Sequence, residues 1–276
     1  MKKTLTLSLV IPAYNEQDDI RACLQSVAEQ IEMPDEVIVV NNNSTDRTVA
    51  IASEFSFVTV INEPRQGLRC TRDTGIAASR GQVIGRIDAD TRLTPTWVQR
   101  AKQVMSDSAV MAATGPCYYH DMPAKKVGLL FDRAIRRGLF RLDASPVLFG
   151  SNMVLRRTAW DTILPLLCTQ GEFFEDVDIT IHFRQQKLQI MFDEDLVVGV
   201  SSRRLEDDPQ TFRKHMKLHT ETFAMHGQSS HVATGGRLIY VGIYPPLKLL
   251  RSVYDPRTNQ ITLSKAKGKP RPTANT

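Results

Sequence analysis

Strand-length apolar runs and apolar residues at helical spacing alternate from residue 5 to residue 113, and this order limits the chain more than any other feature it has. Parallel neighbours cannot be joined by a tight turn, so the alternation predicts an α/β fold: a mostly parallel sheet with helices laid on its faces. Residues 5–11, 36–40, 58–61, 83–87 and 110–113 read as strands. Between the first two, Ile20, Cys23, Leu24, Val27, Ala28 and Ile31 make one apolar stripe. Ser44-Thr45-Asp46 offers N-cap side chains for the next helix, and residues 68–79 form a third. Pro95 is expected at the first helical position of a fourth, whose buried face is Trp97, Val98, Ala101, Val104 and Met105.

After residue 115 the rhythm changes. Residues 123–142 predict a basic amphipathic helix, with Val127, Leu130, Phe131, Ala134, Ile135 and Leu139 on one stripe and Lys125, Lys126, Arg133, Arg136, Arg137 and Arg141 elsewhere. Its apolar stripe is expected to pack on the domain body; the competing reading turns it toward a membrane or an acceptor. Residues 147–155 look extended, 176–186 helical, 188–192 and 196–200 extended, and 209–225 helical. The apolar run 238–250 is broken by Pro245-Pro246 and falls far short of the roughly 20 residues that span a bilayer.

Composition excludes several classes. With 42% hydrophobic and 24% charged residues the chain is neither disordered, fibrous nor membrane-embedded. The start, MKKTLTLSLVIPAYNE, is too short in its apolar part for a signal peptide and reads as a first strand. Cys23, Cys70, Cys117 and Cys168 lack CxxC or ligand-like spacing, which argues against a disulfide framework or zinc site and for a cytoplasmic setting. From Lys248 onward seven basic residues (Lys248, Arg251, Arg257, Lys265, Lys267, Lys269, Arg271) stand against Asp255 alone. That tail reads as a solvated end, with peripheral contact to an anionic membrane surface on the inner face as the sharper expectation. Nucleic acid is excluded as a partner, because the tail lacks interleaved aromatics and the body is not basic.

Asp88 and Asp90 stand one residue apart just beyond the run 83–87. Alternation along a strand points both the same way from its carboxyl end, where open α/β sheets bind ligands. Two such carboxylates repel unless a cation or ligand donors lie between them, and Mg2+ or Mn2+ with diphosphate oxygens suits the place. Further motifs accompany them: VIPAYNE (10–16), VVNNNSTDRTVAIA (39–52), QGLRCTRDTGIAASRGQVIGRIDAD (66–90), GSNMVLRR (150–157) and EDVDITIHFR (175–184). In this order they resemble a family 2 glycosyltransferase, over about residues 5–200.

The resemblance implies a GT-A three-layer α/β/α sandwich with a helical C-terminal extension, a UDP- or GDP-sugar donor, a divalent metal and inversion at the anomeric carbon. It implies that Pro12, Ala13, Tyr14 and Glu16 line the base and ribose pocket, that Asn42 faces the nucleobase, and that Arg72 belongs to the donor-binding set. Asp88 would bond the ribose and share the metal with Asp90, and His219, one turn from His215, would be an additional metal ligand. Glu175-Asp176 matches the family's acidic pair, in which the aspartate takes the proton of the acceptor hydroxyl. Asn152 and the Gly150-Ser151 turn would wall the acceptor side. The Gln-x-x-Arg-Trp signature of processive members is absent around Arg203-Arg204-Leu205, which predicts addition of one sugar to a saccharide or lipid-linked acceptor of the cell envelope.

The expected division is a catalytic domain at 1–205 (donor half 1–115, acceptor half 116–205), a helical extension at 206–250 and a basic tail at 251–276. Two other classes stay open. A metal-dependent nucleotidyltransferase also uses paired aspartates, but ordinarily has a Gly-rich loop where this chain has PAYNE; a catalytically degenerate binding or scaffold protein would not need Asp88, Asp90 and Asp176 together.

Overall fold

A strand buried at every position must have strands on both sides and helices on both faces. The first strand, β1 (Leu7–Ala13), is buried at all seven positions. The computed structural model describes residues 5–143, 146–228, 231–256, 258, 260 and 261, with side chains described for all of these except 139–143 and 231–233. In chain order the elements are β1, α1 (Ile20–Ala28), β2 (Glu36–Asn41), α2 (Thr48–Ala52), β3 (Val58–Asn62), α3 (Leu68–Ala78), β4 (Val83–Arg86), β5 (Arg92–Leu93), α4 (Trp97–Met105), β6 (Val110–Thr114), β7 (Cys117–Tyr119), α5 (Lys125–Asp143), β8 (Met153–Arg156), α6 (Arg157–Ile163), α7 (Glu175–Gln185), β9 (Gln189–Phe192), β10 (Val198–Val200), α8 (Pro209–Met225), α9 (His231–Val253), β11 (Tyr254–Asp255) and β12 (Gln260–Ile261).

The main sheet runs β3-β2-β1-β4-β8-β6-β9. Alternate residues of its strands feed two separate cores. Leu7, Leu9, Ile11, Val37 and Val39 pack with α1, α2 and α4 through Leu24, Val27, Ile51, Trp97 and Val98. Val10, Ile38, Val40 and Ile84 face the other way, against Ile76 of α3, Trp160 of α6 and Ile179 and Phe183 of α7. The result is the expected three-layer sandwich. Gly75 permits close approach of α3 to the sheet, since a Cβ there would lie 2.4 Å from a Val10 methyl.

Strands β1, β2, β3 and β4 pair in parallel, as do β6 and β9. Strand β8 is inserted antiparallel between β4 and β6. Its register sets Arg86 opposite Met153, so the residues just before β8 arrive at the carboxyl end of β4. Strands β5, β10 and β7 make a small second sheet.

Four local expectations change. Helix α1 stops at Ala28 and Ile31 is 69% exposed, its N–H drawn away to the Pro95 carbonyl at 2.9 Å. That same contact holds Pro95 ahead of α4, which starts at Trp97. Helix α9 runs through Pro245-Pro246, its middle fastened by the Tyr244 hydroxyl donating to the Asp207 carbonyl at 2.6 Å and by Tyr244 stacking on Phe212.

Helix α5 is the largest departure. Its polar side faces inward: Asp132 accepts from the Cys117 N–H at 2.9 Å and pairs with Arg136, Arg136 lies over the Phe149 ring, and Arg133 donates to the Glu194 carbonyl. Val127, Leu130 and Phe131 point outward, 65%, 63% and 50% exposed. Val127, Leu130 and Phe131 of the stripe expected to pack on the body therefore lie on the solvent face, while Ile135 is partly buried. No helix among the described residues is long and apolar enough to cross a membrane. Of the basic tail, Arg257, Lys265, Lys267, Lys269 and Arg271 lie outside the described residues.

Candidate active site

The loops leaving β1 and β2 are tied together at the carboxyl edge of the sheet. Asn15, in the left-handed region at φ 52°, donates its N–H to Ser44 and accepts from the Thr45 N–H. The Glu16 N–H donates to Thr48 at 2.7 Å and the Gln17 N–H to Asp46 at 3.1 Å. Ser44-Thr45-Asp46 thus holds the Tyr14-Asn15-Glu16 loop as well as the start of α2. Pro12 and Ala13 are buried in β1 and Tyr14 is partly exposed where the strand ends.

Asn42, which the resemblance places facing the nucleobase, has its side chain engaged by the protein's own main chain. It is 2% exposed; its amide donates to the carbonyls of Glu63 and Arg65, and its oxygen accepts from the Gly67 N–H. With those groups engaged it shapes the loop between β3 and α3. Asn152 is likewise interior: Trp97 Nε1–H donates to its oxygen at 2.9 Å and its amide donates to the Leu196 carbonyl at 2.7 Å. It braces the acceptor side from behind.

Two buried guanidinium groups organise the centre. Arg72, stacked over Trp160, and Arg86 each bond Glu175, at 2.9 and 2.8 Å. Arg72 also bonds Asp73, and Arg86 bonds Asp88 at 3.0 Å. Burying cations in this way is tolerable only because each has carboxylate partners. Arg86 requires Gly150 beside it, where a Cβ would fall 1.7 Å from its terminal nitrogen.

The turn at Gly150-Ser151 joins the two ends of the site. The Gly150 N–H donates to Asp176 at 3.2 Å, and the Ser151 hydroxyl donates to Asp88. Enclosure by protein, reinforced by the adjoining Glu175 carboxylate, pushes the Asp176 carboxyl up to about 6; Arg86 and the N–H groups of Gly150 and Val177 pull the other way. Asp176 nevertheless keeps partial exposure, which a group meeting an incoming acceptor needs.

Arg203 closes the opposite side. Its guanidinium donates to Asp90 at 2.8 Å and Glu16 at 2.7 Å, and to Asp19 at 3.3 Å. His120 Nε2 lies 3.0 Å from the Asp90 carbonyl oxygen. His219 sits on α8 against the rings of Phe174 and Phe223, where burial lowers its pKa to about 4. His120 thus meets the main chain of Asp90, while His219, expected as a metal ligand, packs among aromatic rings on α8. Sequence reading also missed Arg86, Asp19 and Arg203. Arg86 had a signal, a charge inside an apolar strand; Arg203 had none, since its partners lie far away along the chain.

The family model for glycosyl transferase family 2 matches residues 8–164, more than half of the chain. The chain belongs to glycosyl transferase family 2. Among family members it is 34% identical over 100 residues to glycosyltransferase YibD of Escherichia coli, covering 35% of this chain and 29% of that protein. It is also 34% identical over 111 residues to glycosyltransferase AglE of Haloferax volcanii, covering 38% and 36%. The matched stretch spans about a third of these relatives.

Among solved structures, a mannosyltransferase of Pyrobaculum calidifontis in complex with GDP-mannose and Mn2+ superposes with a TM-score of 0.63 at 18% identity, covering 91% of this chain and 74% of that one. Glucosyl-3-phosphoglycerate synthase of Mycobacterium tuberculosis, in complex with Mn2+ and UDP, gives 0.60 at 19%, covering 82% of each. These likenesses show the fold, the GT-A sandwich of glycosyl transferase family 2.

Proposed function

We propose that the chain is an inverting, divalent-metal-dependent glycosyltransferase that moves one sugar from a UDP- or GDP-sugar to a hydroxyl or phosphate of a cell-envelope polysaccharide or lipid-linked acceptor. The observation that carries this reading is the Gly150-Ser151 turn, which bonds the donor-side Asp88 with one residue and Asp176 with the next. Relatives in complex with GDP-mannose or UDP and Mn2+ support the donor class. The proposed division keeps residues 1–205 as the catalytic domain, 206–250 as a helical extension and 251–276 as a tail.

The donor set fits a hard cation. Asp88 and Asp90 are oxygen ligands, and Asp90 with Glu16 already draws the Arg203 guanidinium, so the fold concentrates negative charge where a positive one is wanted. Asp90 and Asp88 would hold Mg2+ or Mn2+, which when bound offsets charge on the departing nucleoside diphosphate. Arg86 and Ser151 orient Asp88 toward the ribose. Arg72 and Arg86 fix Glu175 and so the first turn of α7. Asp176 then takes the proton from the acceptor hydroxyl as that oxygen attacks the anomeric carbon from the side opposite the leaving group. The outward apolar face of α5, with Lys125 and Lys126 beside it, supports an acceptor at an anionic membrane surface.

A nucleotide-sugar panel tests this without an acceptor. Titration calorimetry is expected to find one UDP- or GDP-sugar whose binding strengthens with Mn2+ and weakens in Asp90→Asn. Binding of every donor that ignores both metal and Asp90 would overturn the assignment.

A further inference from the structure

Away from the sugar-transfer residues, three chain segments converge on one face of α7. Asp178 and His182 are one helical turn apart on that helix and point the same way. Cys168 comes from the segment after α6, and His226 from the residue that ends α8. Ligand atoms of Cys168, Asp178 and His226 all lie within 4.8 Å of one another. Cys168 Sγ is 3.6 Å from His226 Nε2, which is 2.8 Å from Asp178 Oδ1. His182 Nε2 lies 3.4 Å from the same Asp178 oxygen, with its ring edge-on to that of His226.

Hydrogen bonding accounts for His226 and Asp178 but not for His182. Asp178 Oδ2 accepts the Cys168 N–H at 3.0 Å, which leaves Oδ1 facing two imidazole nitrogens. His182 is only 7% exposed, yet neither of its ring nitrogens has a hydrogen-bond partner. An unpartnered buried imidazole beside a carboxylate that itself meets a second imidazole near a thiol is what a metal site presents. Metal–ligand lengths of about 2.0–2.3 Å in a tetrahedron put ligand atoms roughly 3.3–3.6 Å apart; the Cys168–His226 and His182–Asp178 spacings of 3.6 and 3.4 Å match, and the 2.8 Å His226–Asp178 contact would lengthen on binding.

We propose that Cys168, Asp178 and His226 form a Zn2+ site that fastens α7 to α8, with His182, one turn along α7 beside Asp178, moving in as the fourth ligand when the ion binds. One sulfur, two imidazoles and one carboxylate match zinc, a borderline-soft ion, and not the all-oxygen preference of Mg2+. Binding releases the Cys168 thiol proton to solvent, and no redox step is involved. Because α7 begins with Glu175 and Asp176, the site steadies the helix that presents them. The cysteine spacing argued against zinc; here a single cysteine suffices, and the remaining ligands come from elsewhere in the fold.

Cobalt substitution tests the site independently of sugar transfer. The full chain, stripped with a chelator and titrated with Co2+, is expected to develop a thiolate-to-cobalt charge-transfer band and tetrahedral d–d absorption at one equivalent, both removed by Zn2+. The bands are expected to persist in Asp90→Asn and to vanish in Cys168→Ser. Absence of the charge-transfer band in the unaltered chain would overturn the proposal, and that measurement needs no variant to fold. Persistence of the band in Cys168→Ser, or its loss in Asp90→Asn, would overturn it equally.

Discussion

Asp176 sits where burial and a like charge hold its proton and where Arg86 and two N–H donors loosen it, and the balance near pH 6 suits a base at neutral pH. The proposed base works deprotonated, so transfer is expected to rise with pH through about 6 and level off above it. Glu175→Gln removes the repelling carboxylate, so the acidic limb of the pH–rate profile is expected to move to lower pH. Asp176→Asn is expected to lower kcat by about 10²–10⁴-fold while calorimetry shows donor binding little changed. Arg203 competes for Asp90 and Glu16. Arg203→Ala is expected to raise Mn2+ affinity, measured without nucleotide, by about fivefold, the equivalent of about 1 kcal/mol. Asp88, Asp90 and Asp176 could be proposed from the sequence because they sit in local motifs. For Asn42 and Asn152 the sequence left the partners open, because an amide serves a ligand and a backbone equally well; in the fold both bond the main chain.

At the scale of elements, α5 shows what periodicity can and cannot say. The apolar stripe was real, but periodicity fixes only which residues share a face, and not which face turns inward. Here the β7 backbone and the Phe149 ring engage Asp132 and Arg136, and that polar contact turns the stripe outward. Leu130→Glu with Phe131→Glu is expected to leave folding intact, since both residues are half or more exposed, and to reduce co-sedimentation with anionic vesicles. Equal sedimentation would remove the lipid contact. Helix α9 makes the companion point: Pro245-Pro246 suggested a break, and packing of Tyr244 on Phe212 carried the helix through.

At the scale of the molecule, β8 decides the site. Entering antiparallel between β4 and β6, it delivers Gly150, Ser151 and Asn152 to the edge where the parallel strands end. Asn152 locks that arrangement to α4 and to the segment before β10, so Asn152→Ala leaves the Trp97 N–H and the Leu196 carbonyl buried and unpaired. Urea unfolding is expected to report a loss of about 3 kcal/mol. What the sequence determined by itself was the parallel half of the sheet, its alternating layers and the motifs at its strand ends, because side-chain periodicity and motif spacing are properties of neighbouring residues. Only the tertiary structure decided which partners those motifs meet. Arg72 reaches Glu175 across 103 positions and Arg203 reaches Asp90 across 113. Charges so far apart along the chain leave no local pattern, and only the closing of the fold brings them together.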